Sequence, residues 1–336
     1  MKRIKSRQQM SVAKISDDEF IRLWNEHQSA AVLARLANMD LRNVHRRRAT
    51  IEARYDVKLP ALNNDHQGKH EPVGPKLVMS SRRDVNRFEI EEGVILVGSD
   101  AHYSPGHISV AHKAFCNVIA DLGTKVKAVI LNGDIMDGGS ISRHPRIGWS
   151  KAPTVKQELE AVQERLGDIE KIRPAGCHLM RTYGNHCARF ETRLANQAPE
   201  YEGIGGFLLR DHLPFWVDSL RIDINDDTVV IHDWHSGVHS GWNDTLKGGC
   251  NVITGHTHEL SAKAHRGFKN THYGIKTGML ADEHQDEFSY RQGKPGFNWQ
   301  SGFAVLTWVD GMMLHPEFCA VRDDGRAYFR GMLYAD

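Results

Sequence analysis

Residues 126–137 read VKAVILNGDIMD. An apolar run from Val126 to Leu131 ends at a glycine, and Asp134 and Asp137 follow. Such a run, little interrupted by polar residues, marks a strand buried on both faces, and the carboxylates stand where it leaves the core. Upstream, GVILVGSDAH (93–102) repeats the arrangement, with Asp100 and His102 after Val94–Val97. Between the two runs, Val110–Leu122 has helical periodicity. A long amphipathic helix is expected over Thr154–Ile172, then a strand over His178–Tyr183. Further strands are expected at Thr228–His232, Val252–Thr254, Phe303–Val309 and Met312–Phe318. A β-α-β-α-β opening followed by hairpins predicts the α/β class: two packed mixed β-sheets flanked by helices. The polar residues recur at the C-terminal ends of strands, where α/β sheets place their sites.

Five clusters close successive apolar runs: D-A-H (100–102), G-D-I-M-D (133–137), G-N-H (184–186), His232 at the end of VVIH, and G-H-T-H (255–258). Residues two apart on an extended segment point to one side, so Asp100 with His102 and His256 with His258 can aim at one centre. Gly133, Gly184 and Gly255 permit tight strand-to-loop turns. Imidazole and oxygen donors without thiolate suit manganese, the first expectation, and iron, zinc or nickel, rather than calcium.

In this order the clusters resemble the signatures of the calcineurin-like metallophosphoesterase superfamily, over residues 93 to about 310. The resemblance implies two packed mixed sheets and a pair of divalent metal ions that serve phosphate-ester hydrolysis. It assigns Asp100, His102, Asp134 and His258 to one ion. Asp134 would bridge to a second, completed by Asn185, His232 and His256. His186 would be the general acid or charge stabiliser beside the phosphate. Two departures stand out. Cys187 occupies a position where the family carries Asp or Glu, which leaves another group, such as Asp137, to orient His186. The lone histidine is followed by Asp233-Trp234-His235 rather than by glycine, and His232 is preferred to His235 because it ends the strand. Arg143, His144 and Arg189 are expected to bind substrate, surface ion pairing being the plain alternative for the arginines. Tyr290 and Trp299 read as packing residues, with base stacking the alternative.

The N-terminal region differs in kind. Residues 1–60 carry 13 basic and 7 acidic side chains, in a chain whose 43 Lys and Arg against 42 Asp and Glu leave a net charge of +1. Helices are expected over Asp17–Gln28, over AAVLARLA after a Ser29 cap, and over LRNVHRRRATIEARY after an Asp40 cap, with a turn at Asn38-Met39. The pattern resembles a helix-turn-helix, whose later helix enters the major groove. That places Arg42, Asn43, His45, Arg46 and Arg47 toward nucleic acid; the plain alternative is a helical bundle with a solvated basic face. The domain reading is a small all-α helix-turn-helix over 1–56, a linker over 57–86 marked by Pro60, Pro72, Pro75 and the polar stretch NNDHQGKHE, and a catalytic domain over 87–336.

Five scattered cysteines without a C-x-x-C pair argue against a disulfide framework and fit a reducing cytoplasm, a host's where the chain is phage-encoded. No signal-peptide core and no run of about 18 apolar residues is present, so no membrane partner is expected. Phosphate-loop, serine-elbow and H-E-x-x-H templates are absent. The combined expectation is a metal-dependent phosphodiesterase, a DNA nuclease or exonuclease of the phage-type repair branch, recruited by its arm. The alternative is a small-molecule or nucleotide phosphodiesterase or monoesterase whose arm serves oligomerisation, as in a homodimer.

Overall fold

The structure is a computed structural model that describes residues 15–27, 30–37, 39, 41–60, 76–78, 85–144, 151–291, 294 and 298–336. Ser29, Asn38 and Asp40, expected as caps and turn, lie outside the described residues, as does most of the expected linker. The chain divides into two compact units, Met1–Pro72 and Val73–Asp336.

The first unit holds α1 (Asp17–His27), α2 (Ala30–Leu36) and α3 (Leu41–Tyr55). Its core is Phe20, Trp24, Leu33, Val44, Ile51 and Leu59. The Trp24 indole N–H donates to the Pro60 carbonyl at 3.0 Å, so residues 57–60 belong to the helical unit rather than to a linker. Two arginines of α3 serve the same packing. Arg47 lies over the Phe20 ring and pairs with Asp17 at 3.0 Å, and Arg48 lies over the Trp24 ring. Arg47 is therefore withdrawn from the expected nucleic-acid face, because its guanidinium joins α1 to α3. Arg42, Asn43, His45 and Arg46 are exposed.

The second unit is built on β1 (Lys76–Val78), β2 (Val85–Glu89), β3 (Gly93–Gly98), α4 (Val110–Leu122), β4 (Val126–Asn132), α5 (Val155–Ile172), β5 (His178–Thr182) and α6 (Ala188–Gln197). It continues through β6 (Val217–Ser219), β7 (Arg221–Ile224), β8 (Thr228–Ile231), α7 (Ser240–Gly248), β9 (Asn251–Thr254), β10 (Leu260–Arg266) and β11 (Thr271–Thr277). It closes with β12 (Gly302–Val309), β13 (Met312–Met313), β14 (Glu317–Val321), β15 (Ala327–Phe329) and β16 (Met332–Ala335). Seven strands form one mixed sheet in the order β1-β2-β7-β8-β9-β11-β10. Nine form the other, in the order β16-β15-β14-β12-β3-β4-β5-β6 with β13 beside β12. The expected linker is corrected at its end: β1 and β2 are strands of the seven-stranded sheet, and β2 alternates buried Asn86 and Phe88 with more open neighbours.

The expected architecture holds: two mixed sheets pack face to face, flanked by helices. Ile95, Val97 and Ile130 of one sheet meet Ile222, Val230 and Ile253 of the other. Their sequence neighbours Leu96, Val129 and Leu131 turn the opposite way, into a core shared with Phe115 and Val118 of α4 and Leu166 of α5. Both faces of β3 and β4 are thus covered, which is why these strands carry almost no polar alternation. Helix α5 begins with a capping box at Thr154 and Gln157. No helix of the described residues is long and apolar enough to cross a membrane.

Candidate metal centre

The five polar clusters converge. Beyond β3 and β4 the backbone pairing continues into the loops: the Asp100 N–H donates to Gly133 O at 3.1 Å and the His102 N–H to Asp134 O at 3.0 Å. In the seven-stranded sheet the pairing of β8 with β9 likewise continues into the loops: the Gly255 N–H donates to His232 O at 2.9 Å. Asp100, His102, Asp134 and His186 thereby come from the nine-stranded sheet's side, and His232, His256 and His258 from the seven-stranded sheet's side.

Extended geometry does not account for the convergence. Asp100, His102, Asp134, His256 and His258 all have left-handed backbones, with φ of 49°, 40°, 49°, 62° and 59°. That conformation costs about 1–2 kcal/mol per residue outside glycine, and persists where surroundings over-determine it. The glycines serve close approach as much as turning. A Cβ on Gly184 would lie 2.0 Å from Asp134 Oδ1, and one on Gly133 would lie 2.2 Å from His232 Nδ1.

Each buried carboxylate has one oxygen fixed by backbone and the other turned toward imidazole. Asp134 Oδ1 accepts from the His186 N–H at 2.8 Å, and Oδ2 lies 3.0 Å from His232 Nε2. Asp100 Oδ2 accepts from the His256 N–H at 2.8 Å, and Oδ1 lies 3.3 Å from His258 Nε2. His232 Nδ1 faces the Asn132 carbonyl at 2.7 Å, which turns Nε2 into the cluster. Burial pushes the His232 imidazole down, but Asp134 and Asp100 outweigh it and raise it to about 9. Burial likewise pushes Asp134 up, and His232 more than offsets this, to about 2.

The donors fit divalent ions. Asp100 Oδ1, both ring nitrogens of His102, His232 Nε2 and His258 Nδ1 are buried without a hydrogen-bond partner among the described residues. Asp100, His102 and His258 form one group whose ligand atoms lie within 4.8 Å of one another, and Asp134, His232 and His256 form another. Buried carboxylates that draw a proton onto a neighbouring imidazole above neutrality have the charge deficit a cation fills. Asn185, expected as a ligand, stands between Gly184 and His186 in the turn after β5 and is exposed.

His186 borders the cluster. Its Nδ1 lies 2.9 Å from Asp137 Oδ1, and its Nε2 lies 3.2 Å from an Arg189 guanidinium nitrogen. Asp137 thus takes the orienting part left open by Cys187, which is buried in the core at the start of α6. His235 is engaged elsewhere, with Nδ1 at 2.7 Å from Asp244 and Nε2 at 3.1 Å from Lys247 Nζ. Arg143 and His144 are exposed, and neither makes a hydrogen bond or ion pair with the cluster among the described residues. Of the three expected substrate contacts, the structure brings only Arg189 to the site. Trp299 packs against His258 at 4.2 Å and under the Arg291 guanidinium at 4.1 Å, as the packing reading expects.

One residue escaped sequence reasoning. Glu158, buried on α5, accepts the Gly138 N–H at 2.9 Å and so braces the turn that follows Asp137. A glutamate on an amphipathic helix reads as solvent-facing, and nothing in its pattern signals burial. Burial, then the charge of Asp137, pushes its carboxyl up to about 7. The folded chain therefore holds this proton more tightly than the unfolded chain. The resulting stability is present at low pH and is lost as pH rises from about 4.5 through about 7, by about 3 kcal/mol at most. Glu158→Gln should abolish that slope. Urea denaturation of both proteins without metal, at pH 5 and pH 8, checks it; equal pH dependence would mean that Glu158 titrates normally.

No protein-family model matches the chain. The Gene 54 protein of Mycobacterium phage L5 is 29% identical over 239 residues, covering 62% of this chain and 86% of that protein. The zinc complex of wild-type Vps29 from Entamoeba histolytica is 13% identical with a TM-score of 0.37, covering 72% of this chain and 99% of that one. A novel archaeal phosphodiesterase is 16% identical with a TM-score of 0.34, covering 67% and 99%. With both TM-scores under 0.5, the functional case rests on this chain's own residues.

Proposed function

We propose that this chain is a metal-dependent phosphodiesterase of the calcineurin-like metallophosphoesterase kind that cleaves nucleic acid, with DNA the expected substrate. The observation that carries the hydrolase reading is the pair of buried carboxylates, Asp100 and Asp134, each with one oxygen turned toward an imidazole cluster assembled from five strand ends. Asp100, His102 and His258 would hold one divalent ion, and Asp134, His232 and His256 a second, with manganese the first choice; Asn185 is proposed to complete the second. Bound there, the ions supply Lewis-acid charge at the phosphoryl group and a nucleophile from water near neutral pH.

The chain's own residues do the rest. Asp137 accepts from Nδ1 and fixes the His186 ring. With Arg189 turned from Nε2 to the phosphate, the protonated ring, disfavoured by burial but favoured more strongly by Asp137 and Asp134, would deliver its Nε2 proton to the leaving oxygen. The Arg189 guanidinium beside Nε2 is placed to hold a phosphate oxygen. Exposed Arg42, Asn43, His45 and Arg46 on α3 support the nucleic-acid part of the reading, as a helix-turn-helix that recruits duplex DNA.

Metal-loaded protein should be assayed on labelled single- and double-stranded DNA, RNA, mononucleotides and a chromogenic diester. Cleavage of mononucleotides with no attack on any polymer would overturn the nuclease reading. Deleting residues 1–72 should leave diester hydrolysis nearly unchanged, since every proposed ligand lies at Asp100 or beyond. Affinity for duplex DNA should fall, and its log–log salt slope should flatten by about 0.9 for each phosphate that the arm had neutralised. A changed mass in light scattering with the slope intact would make the arm an oligomerisation element instead.

A further inference from the structure

The hairpin of β10 and β11 leaves the metal centre directly after His258 and carries Lys263, Arg266, Lys269 and Lys276 with no Asp or Glu over Leu260–Thr277. Lys276 is spent internally, buried against Asp244 at 2.8 Å. The other three are exposed. At the tip, in a turn closed by Gly267 N–H to Asn270 O at 2.9 Å, Phe268 is fully exposed. A phenylalanine left wholly in water between two cations contributes nothing to the fold.

The hairpin is not alone. Helix α7 lies on the same sheet, and its exposed Trp242 meets His265 of β10 edge-on at 5.0 Å. Lys263, two residues before His265, shares that face. Leu246, four residues beyond Trp242, continues the exposed apolar face of α7. At the other end of the helix stands exposed Trp234, two residues after His232 and next to Asp233, whose carboxylate lies 4.0 Å from His256 Nε2. Three exposed aromatics thus run from the metal centre along α7 to the hairpin tip, with Lys263, Arg266 and Lys269 beside the outer two. The strand alone reaches about 20 Å from its base.

Aromatic faces alternating with cations fit single-stranded nucleic acid, whose bases offer π-faces for stacking while the cations track its phosphates. Bases paired inside a duplex offer no such faces. We infer that Trp234, Trp242 and Phe268 form a stacking track, with Lys263, Arg266 and Lys269 as phosphate contacts, that guides a single strand to the metal centre. The inference rests on the nuclease reading for its purpose, but its binding test does not need cleavage.

The test is anisotropy of labelled oligothymidylate with the full chain in chelator, where no strand is cut. Trp242→Ala and Phe268→Ala should each weaken binding roughly 5- to 150-fold, the usual worth of one stacked base. Trp242→Phe should retain most of the affinity. Lys263→Ala with Lys269→Ala should flatten the salt slope by about 0.7 for each cation removed. Chromogenic diester hydrolysis by the metal-loaded variants should match wild type, which also shows that they fold. Unchanged affinity in both aromatic variants overturns the track, as does an equal loss on duplex DNA or a loss confined to binding of anionic vesicles. A wild-type chain that binds oligothymidylate through these residues yet cuts no polymer removes the nuclease reading and leaves the track standing.

Discussion

Asp134→Ala should leave no diester hydrolysis above an enzyme-free control and should lower the metal content of the purified chain. Asp134 turns its Oδ2 toward His232, and its Oδ1 is fixed by the backbone N–H of His186. Removing it takes away the charge that offsets repulsion between two dications. It also frees the G-N-H turn, which packs so tightly that Gly184 has no room for a Cβ. Elemental analysis of the dialysed protein and a manganese-dependent rate on a chromogenic diester check the two effects. Full activity in manganese would sink the metal assignment.

His186→Ala should separate metal from chemistry. The ring meets Asp137 and Arg189 rather than the Asp100 or Asp134 carboxylates, so the variant should keep its metal. The rate should fall by about 10²–10⁴-fold, the usual worth of a positioned acid or base. Loss of metal together with rate would make His186 a ligand. The third cluster of ligand-type atoms, His102, Asp137 and His186, shows how that alternative could arise. The expected split rests on His102 belonging with Asp100 and His258.

What could be read from the sequence follows burial. Strands β3, β4, β5, β9 and β12 were legible because both of their faces are covered, which leaves an apolar run with few interruptions. Strands β7 (RIDI) and β10 (LSAKAHR) were not, since β7 is short and buries only alternate residues, and β10 is basic and buries none fully. Met312–Phe318 was expected as one strand and is two, separated at Leu314–Pro316, where proline cannot donate to the ladder. The proposed ligands were legible as spacings after apolar runs. Their left-handed backbones were not, because Asp and His tolerate that region without advertising it. Arg47 was misread for a related reason: in Arg46-Arg47-Arg48 the composition shows three cations, while helical phase alone decides that the second lies over Phe20.

The division of the proposed ligands between two sheets would have a thermodynamic consequence. An ion held at once by Asp100 or Asp134 and by histidines of the opposite sheet, as proposed, would act as a clasp across the sandwich. Its binding energy is then also energy of sheet docking, and each tenfold excess of free ion over its dissociation constant adds about 1.4 kcal/mol to the stability of the folded chain. Linkage is reciprocal. A cavity cut into the interior far from the centre, at the fully buried Trp308 for instance, would weaken apparent metal affinity to the extent that it unfolds the metal-free chain. In such a fold the packing between the sheets and the strength of the metal site would be read in one measurement.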